Sequence, residues 1–146
     1  LFEKDPSLET FIQYSKNPFR KFNKRELIGL GARFNLENDL KAGVGVMNED
    51  EEDLSGITDN TLRLSSYFHS EFLIDENIIF DLSGFLQPSL NSFSDYKATL
   101  IGQFDFHINE NFKISLQYNT FYDSNPPSNA VKKEEGFATV FSYNFN

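Results

Sequence analysis

His69 and His107 are the side chains of this sequence best suited to acid–base chemistry, and serines and carboxylates occur near both. A histidine beside a serine and an acid is the arrangement of a hydrolytic triad. The candidate partners are Ser65, Ser83, Ser115, Glu71 and Asp105. No Gly-X-Ser-X-Gly nucleophile turn occurs in the sequence, and the histidines lack the close spacing of paired metal ligands. We therefore predict that both histidines are hydrogen-bonded in a polar interior and that the chain is not an enzyme. We expect no catalytic, cofactor-binding or metal-binding residues.

Two groups of carboxylates offer other chemistry. The acidic run 48–53 has the oxygen ligands that Ca²⁺ prefers and could also bridge divalent ions to lipopolysaccharide, but it lacks the Asp-X-Asp-X-Asp-Gly pattern of a calcium loop. We interpret it as a solvated loop. Glu71, Asp81 and Asp105 could supply the paired carboxylates of a glycosidase, yet the separation that such a pair requires cannot be read from sequence. Pro126 and Pro127 are interpreted as stiffening the last long loop.

Eight segments in which apolar and polar residues alternate would have to position these residues. They span 8–16, 24–36, 40–49, 60–73, 77–87, 95–108, 112–123 and 135–145. Most have at least the ~9–11 residues that a tilted strand needs to cross a bilayer, whereas strands of globular proteins average about 5–6. This spacing predicts long antiparallel strands.

The connections between the segments alternate in length. Tight polar turns are predicted at 37–39, 75–77 and 109–111, and longer links at 17–23, 50–59, 88–94 and 124–134. Short turns at one end and longer loops at the other are typical of outer-membrane barrels, whose short turns are periplasmic.

Each segment separates into an apolar and a polar face. In the sixth, Leu100 and Phe104 share one parity, while Lys97, Gln103 and Asp105 share the other. A soluble barrel shows the same alternation with its apolar face inward. Aromatic residues near the segment ends and a polar face of mixed composition favour lipid outside and an enclosed polar interior.

The polar face would place charges of both signs in a confined space, where each needs a partner. The predicted inward charges are Arg33, Arg63, Glu71, Asp81, Lys97, Asp105 and Lys113. Four inward glycines are predicted to make room for the arginine and lysine side chains, namely Gly29, Gly31, Gly43 and Gly45.

Composition narrows the functional classes. The 146 residues suffice for one domain, and a net charge of -9 argues against nucleic-acid binding, which requires clustered cations. Cysteine is absent, so neither a disulfide scaffold nor a cysteine zinc site is expected. Mean hydropathy is negative, but an alternating membrane strand also lowers the mean.

Several motifs carry a family resemblance. The stretches 11–13, 25–34 and 43–49, the residues Arg63 to Tyr67, and above all 122–127 (Tyr-Asp-Ser-Asn-Pro-Pro), followed by Lys132 and Lys133, resemble the DUF481 family. The closing stretch 141–145 is similar to the end of that family, so the chain resembles its C-terminal part. The resemblance therefore implies a salt-induced outer-membrane protein. The resemblance implies a fold and a location but no reaction.

The sequence thus predicts an all-β, antiparallel, up-and-down transmembrane β-barrel with about eight strands, and more in a longer protein. We expect one outer-membrane domain over residues 1–146, with room for further N-terminal strands. The expected role is structural, or that of a component of an envelope assembly, with a filled polar lumen in the bacterial outer membrane. Expected partners are membrane lipid, lipopolysaccharide and other outer-membrane proteins, with no nucleic acid and no cofactor. The alternatives are a soluble lipocalin-like barrel that binds a small apolar ligand, and a narrow pore if further strands are present.

Overall fold

The computed structural model describes residues 6–18, 21–37, 39–127 and 130–145, which contain eight β-strands. The strands are β1 Ser7–Asn17, β2 Phe22–Asn35, β3 Lys41–Asp53, β4 Thr58–Asp75, β5 Ile78–Pro88, β6 Tyr96–His107, β7 Phe112–Asp123 and β8 Lys133–Tyr143. All eight predicted segments are therefore confirmed as strands. Asn38 of the first predicted turn lies outside the described residues, as do 19–20 and 128–129 of two predicted links.

The strands form one sheet in the order β1 to β8, and each pairs antiparallel with the next along the chain. The predicted all-β, up-and-down architecture is confirmed. β1 and β8 are the two edges of this sheet, which is open between them. No helix in the described part of the chain is long and apolar enough to cross a membrane.

The turns at one end of the sheet follow the predicted chemistry. Two residues, 76 and 77, separate β4 from β5. Between β6 and β7, the Asn109 carboxamide oxygen accepts hydrogen bonds from the backbone N–H groups of Asn111 and Phe112, both at 2.9 Å. Such an Asx turn reverses the chain within a few residues. We call this the turn end of the sheet and the opposite end the loop end.

The prediction that the acidic run is a solvated loop was wrong. β3 continues to Asp53 and β4 resumes at Thr58, so only four residues, 54–57, connect them. Asp53 accepts hydrogen bonds from the backbone N–H groups of Ser55 at 2.7 Å and Ile57 at 2.9 Å and closes a short turn. The run stays in the strand because Glu49 and Glu51 meet cationic side chains there.

Contacts between distant strands show that the sheet is curled. Glu49 of β3 and Lys97 of β6 are 2.7 Å apart, and Glu9 of β1 and Tyr67 of β4 are 2.6 Å apart. Strands three positions apart in a flat sheet would be separated by about 14 Å. The face that carries these contacts is therefore concave, and we call it the inner face.

The inner face is mainly polar and carries the most buried side chains, while the outer face is mainly apolar and exposed. Met47, Glu49 and Arg63 on the inner face are only 1%, 2% and 3% exposed. On the outer face, Ile12 is 82% exposed and Phe137 is 70% exposed. The predicted parity is confirmed, with the charged side chains inside the curl and the apolar side chains outside it.

The inner glycines allow close approach, but not in the way the sequence suggested. Tyr67 lies over Gly43 and Phe11 lies over Gly29, so aromatic rings occupy the space that was predicted for arginine and lysine. At Gly45 the neighbouring strand itself is close, because a Cβ atom there would be 2.6 Å from the Gly31 Cα atom. The glycines thus bring β2 and β3 together and receive rings from β1 and β4.

We expect Gly45→Ala to lower the free energy of unfolding by about 1–3 kcal/mol, because the new methyl group meets backbone atoms that cannot rotate away. Gly102→Ala is the matched control, since its Cβ would lie 3.5 Å from the Phe80 ring, an ordinary contact distance. The measurement is equilibrium unfolding in urea of the two refolded variants. Equal stability of both would contradict the close approach.

Candidate functional site

An ionic cluster on the inner face, near the loop end, contains the most buried charged side chains of the described residues. It comprises Arg25, Glu49, Glu51, Arg63, Asp95, Lys97 and Asp123. β3 contributes two side chains, β2, β4, β6 and β7 contribute one each, and Asp95 directly precedes β6. The cluster therefore connects strands that the sheet hydrogen bonds do not join.

Glu49 is the centre of the cluster. One carboxylate oxygen, Oε1, accepts a hydrogen bond from Arg25 Nε at 2.5 Å and another from Lys97 Nζ at 2.7 Å. The other oxygen, Oε2, accepts a hydrogen bond from Arg63 Nε. A buried carboxylate requires such compensation, because the desolvation of an isolated charge costs several kcal/mol.

The cations of the cluster have further acidic partners. Arg63 donates to both carboxylate oxygens of Asp95, with distances of 3.2 to 3.3 Å, and to the backbone carbonyl of Gln87 at 3.2 Å. Lys97 Nζ lies 2.9 Å from Glu51 and 3.7 Å from Asp123. Three cations therefore face four carboxylates, and the charges nearly cancel.

A small cavity lies next to the cluster under the β7–β8 loop. Arg25, Lys97 and Phe22 line it from the inner face, and Pro126 and Pro127 line it from the loop. The loop prolines thus lie over the cluster. Within the described part of the chain, Nη2 of Arg25 is buried and has no hydrogen-bond partner.

Two smaller ion-pair groups occupy other parts of the inner face. Asp105 pairs with Lys113 at 2.8 Å and accepts a hydrogen bond from Gln103 at 2.9 Å. Glu9 pairs with Arg33 at 3.1 Å and accepts the hydrogen bond from Tyr67. Five of the seven predicted inward charges therefore have opposite charges nearby. The other two, Glu71 and Asp81, lie opposite each other on β4 and β5.

The histidines are not brought together with a serine and an acid. His69 Nδ1 is 2.9 Å from the Ser83 hydroxyl, which matches the predicted hydrogen bond in a polar interior. No described carboxylate forms an ion pair with His69. For His107 the prediction was wrong, because this side chain is exposed near the turn end. Among the residues that the structure describes, no three His, Asp or Glu side chains are grouped closely enough to hold a metal ion.

Sequence reasoning found Arg63 and Lys97 but missed Glu49, Arg25 and Glu51. The alternation of β3 could have identified them, because Glu49 and Glu51 follow Met47 at intervals of two residues and so belong to the same inner face. Arg25 likewise shares the inner parity of Leu27 on β2. The acidic run instead suggested a loop, and that interpretation ended the strand too early.

We expect Glu49→Gln to lower the free energy of unfolding by about 3–5 kcal/mol, because three buried cations lose their shared carboxylate while the shape of the side chain is kept. Asp50→Asn, next in sequence and on the outer face, is the control and should change stability by less than about 0.5 kcal/mol. Urea unfolding of both variants measures the difference. A Glu49→Gln protein as stable as the control would show that the cluster contributes nothing.

Comparison with known proteins complements this geometry. No curated protein and no solved structure matches the chain. The family model described as "Protein of unknown function, DUF481" matches residues 1–145, nearly the whole chain, and confirms the resemblance that the motifs indicated. The protein therefore belongs to the DUF481 family.

Proposed function

We propose that the chain forms a transmembrane β-barrel of the bacterial outer membrane, with a structural role or as a component of an envelope assembly. The observation that carries the proposal is the exposure of its apolar face around a buried charged interior. Monomeric soluble proteins rarely expose large continuous apolar surfaces. In a bilayer this outer face would contact acyl chains, and the polar inner face would be shielded from them.

The length and rim of the sheet also fit a bilayer. The strands have 11 to 18 residues, enough to cross when tilted. At the loop end the outer face becomes charged, with ion pairs between Lys24 and Glu26 at 2.9 Å and between Lys133 and Glu135 at 3.0 Å. This charged rim would lie among the lipid head groups and lipopolysaccharide.

Aromatic pairs occur at both ends of the outer face. Tyr96 and Tyr122 stack at the loop end, with ring centroids 5.4 Å apart. At the turn end, the rings of Tyr143 and Phe145 are 4.8 Å apart. Girdles of such rings occur at the two interfaces of membrane barrels.

The ionic cluster favours a barrel that does not conduct ions. Glu49, Arg63 and Lys97 would fill the interior at the loop end, where a conducting pore requires a continuous water path. A narrow pore formed with additional strands is the second candidate. The lipocalin-like alternative fits less well, because an apolar ligand requires an apolar inner face.

A non-enzymatic role agrees with the chemistry of the interior. The buried carboxylates are neutralised by arginine and lysine, and His69 is bonded to Ser83 without a described acidic partner. Lipid and lipopolysaccharide are the proposed partners of the outer face, with other envelope proteins as further partners.

The proposal predicts that the expressed protein stays with the envelope fraction after a high-salt wash and requires detergent for release. On a gel, unboiled and boiled samples should then migrate differently, because a closed barrel survives detergent until it is heated. Recovery in the aqueous fraction without detergent, together with identical migration of both samples, would contradict a membrane barrel and favour the soluble ligand-binding alternative.

A further inference from the structure

The two edges of the sheet are matched to each other. β1 and β8 each have 11 residues, and because eight strands alternate in direction, these two run antiparallel. The inner-face side chain of Val140 on β8 remains 47% exposed. An unpaired edge is a template for another strand. This deduction rests on the proposed barrel and identifies the seam that would close it.

Side-chain parity limits the ways in which the edges can pair. Glu9, Phe11 and Gln13 of β1 belong to the inner face, because their partners on β2 do. On β8 the inner positions include Gly136, Ala138 and Val140. Since a shift of one residue would place inner residues opposite outer ones, the allowed registers differ by two residues.

The register of the seven existing pairings limits how β1 can pair with β8. We call the stagger the number of residues by which this pairing is displaced along β8 from a line of direct pairs. A line of directly paired residues runs around the sheet through Leu8, Ala32, Val44, Ser66, Leu86, Ala98, Tyr122 and Lys133. Pairing Leu8 with Lys133 would leave the two edge strands almost without overlap. Pairing Leu8 with Phe141 or Tyr143, eight or ten residues further along β8, gives nearly complete overlap.

Charges on the outer face distinguish these two registers. A stagger of eight would place Lys16 opposite Lys133, two like charges. A stagger of ten places Lys16 opposite Glu135 and Tyr14 opposite Phe137. Opposite charges and aromatic pairs stabilise facing strands, and like charges destabilise them. The stagger of ten is therefore favoured.

The resulting barrel has ordinary dimensions. Ten residues of stagger over eight strands, at about 3.3 Å per residue and about 4.8 Å between strands, give a strand tilt of about 41°. Barrel strands typically tilt by ~35–45°. In this register Phe11 lies opposite Val140, so closure would cover the exposed inner face of β8.

We propose that β1 and β8 of the same chain pair in this register, with Ile12 opposite Thr139, and close an eight-stranded barrel of stagger ten. Its seam is a specific interaction surface whose partner is the other edge of the same sheet.

The test uses paired cysteines, which are the sole thiols because the sequence contains no cysteine. The variant Ile12→Cys with Thr139→Cys is compared with Ile12→Cys and Phe137→Cys, which matches the stagger of eight. A second pair at the rim combines Lys16→Cys with Glu135→Cys, and its control uses Lys133→Cys. Each protein is oxidised in membranes, digested and analysed by mass spectrometry, and heat-dependent gel migration before oxidation reports whether the variant is folded.

We expect the two stagger-ten pairs to form disulfides within one chain at least several-fold faster than their controls, because facing Cβ atoms are within reach and diagonal ones are not. Faster reaction of both control pairs would overturn the register. Disulfides only between chains, or none in variants that remain membrane-bound and heat-modifiable, would overturn the seam and leave the membrane proposal intact. Loss of membrane association in the unmodified protein would instead contradict the proposed function itself.

Discussion

Burial of the Glu49 carboxylate among three cations is the interaction on which the curl of the sheet depends. Arg25 and Arg63 approach it from the neighbouring strands, but Lys97 comes from β6, three strands away. Backbone hydrogen bonds hold adjacent strands and would tolerate a flatter sheet. The cluster requires strong curvature, because separating β3 from β6 would leave buried charges without partners.

This arrangement reverses the usual distribution of polarity. In a soluble sheet protein, apolar burial supplies most of the favourable free energy and charges remain at the surface. Here the described residues bury few apolar side chains, among them Phe22, Leu27 and Met47, whereas a larger number of charged side chains are buried on the inner face. Lipid around the outer face would supply the missing apolar environment and would leave the ionic interior intact.

The strands and their two faces were predictable from sequence, because apolar and polar residues alternate with a period of two. Such alternation over about ten residues is typical of a strand with two different faces and does not fit the helical period of 3.6. Local chemistry also identified the turn at Asn109. Two features depended on distant partners and were misread. Residues 48–53 resemble a loop in sequence, but they form a strand because Arg25 and Lys97 provide their counter-charges. Gly43 accommodates the Tyr67 ring, because the pairing of β3 with β4 places these two residues opposite each other.

The central claim is that the outer face contacts lipid, and the stability of arginine variants in lipid vesicles tests it most directly. Val46 lies in the middle of the outer face of β3, and Asp50 lies on the same face at its charged rim. Each is replaced by arginine in a separate variant. We predict a loss of about 2–4 kcal/mol for Val46→Arg and about 0–1 kcal/mol for Asp50→Arg, because the cost of a charge rises with depth in the bilayer. A change within about 0.5 kcal/mol at both positions, as expected for surface sites in water, would contradict lipid contact.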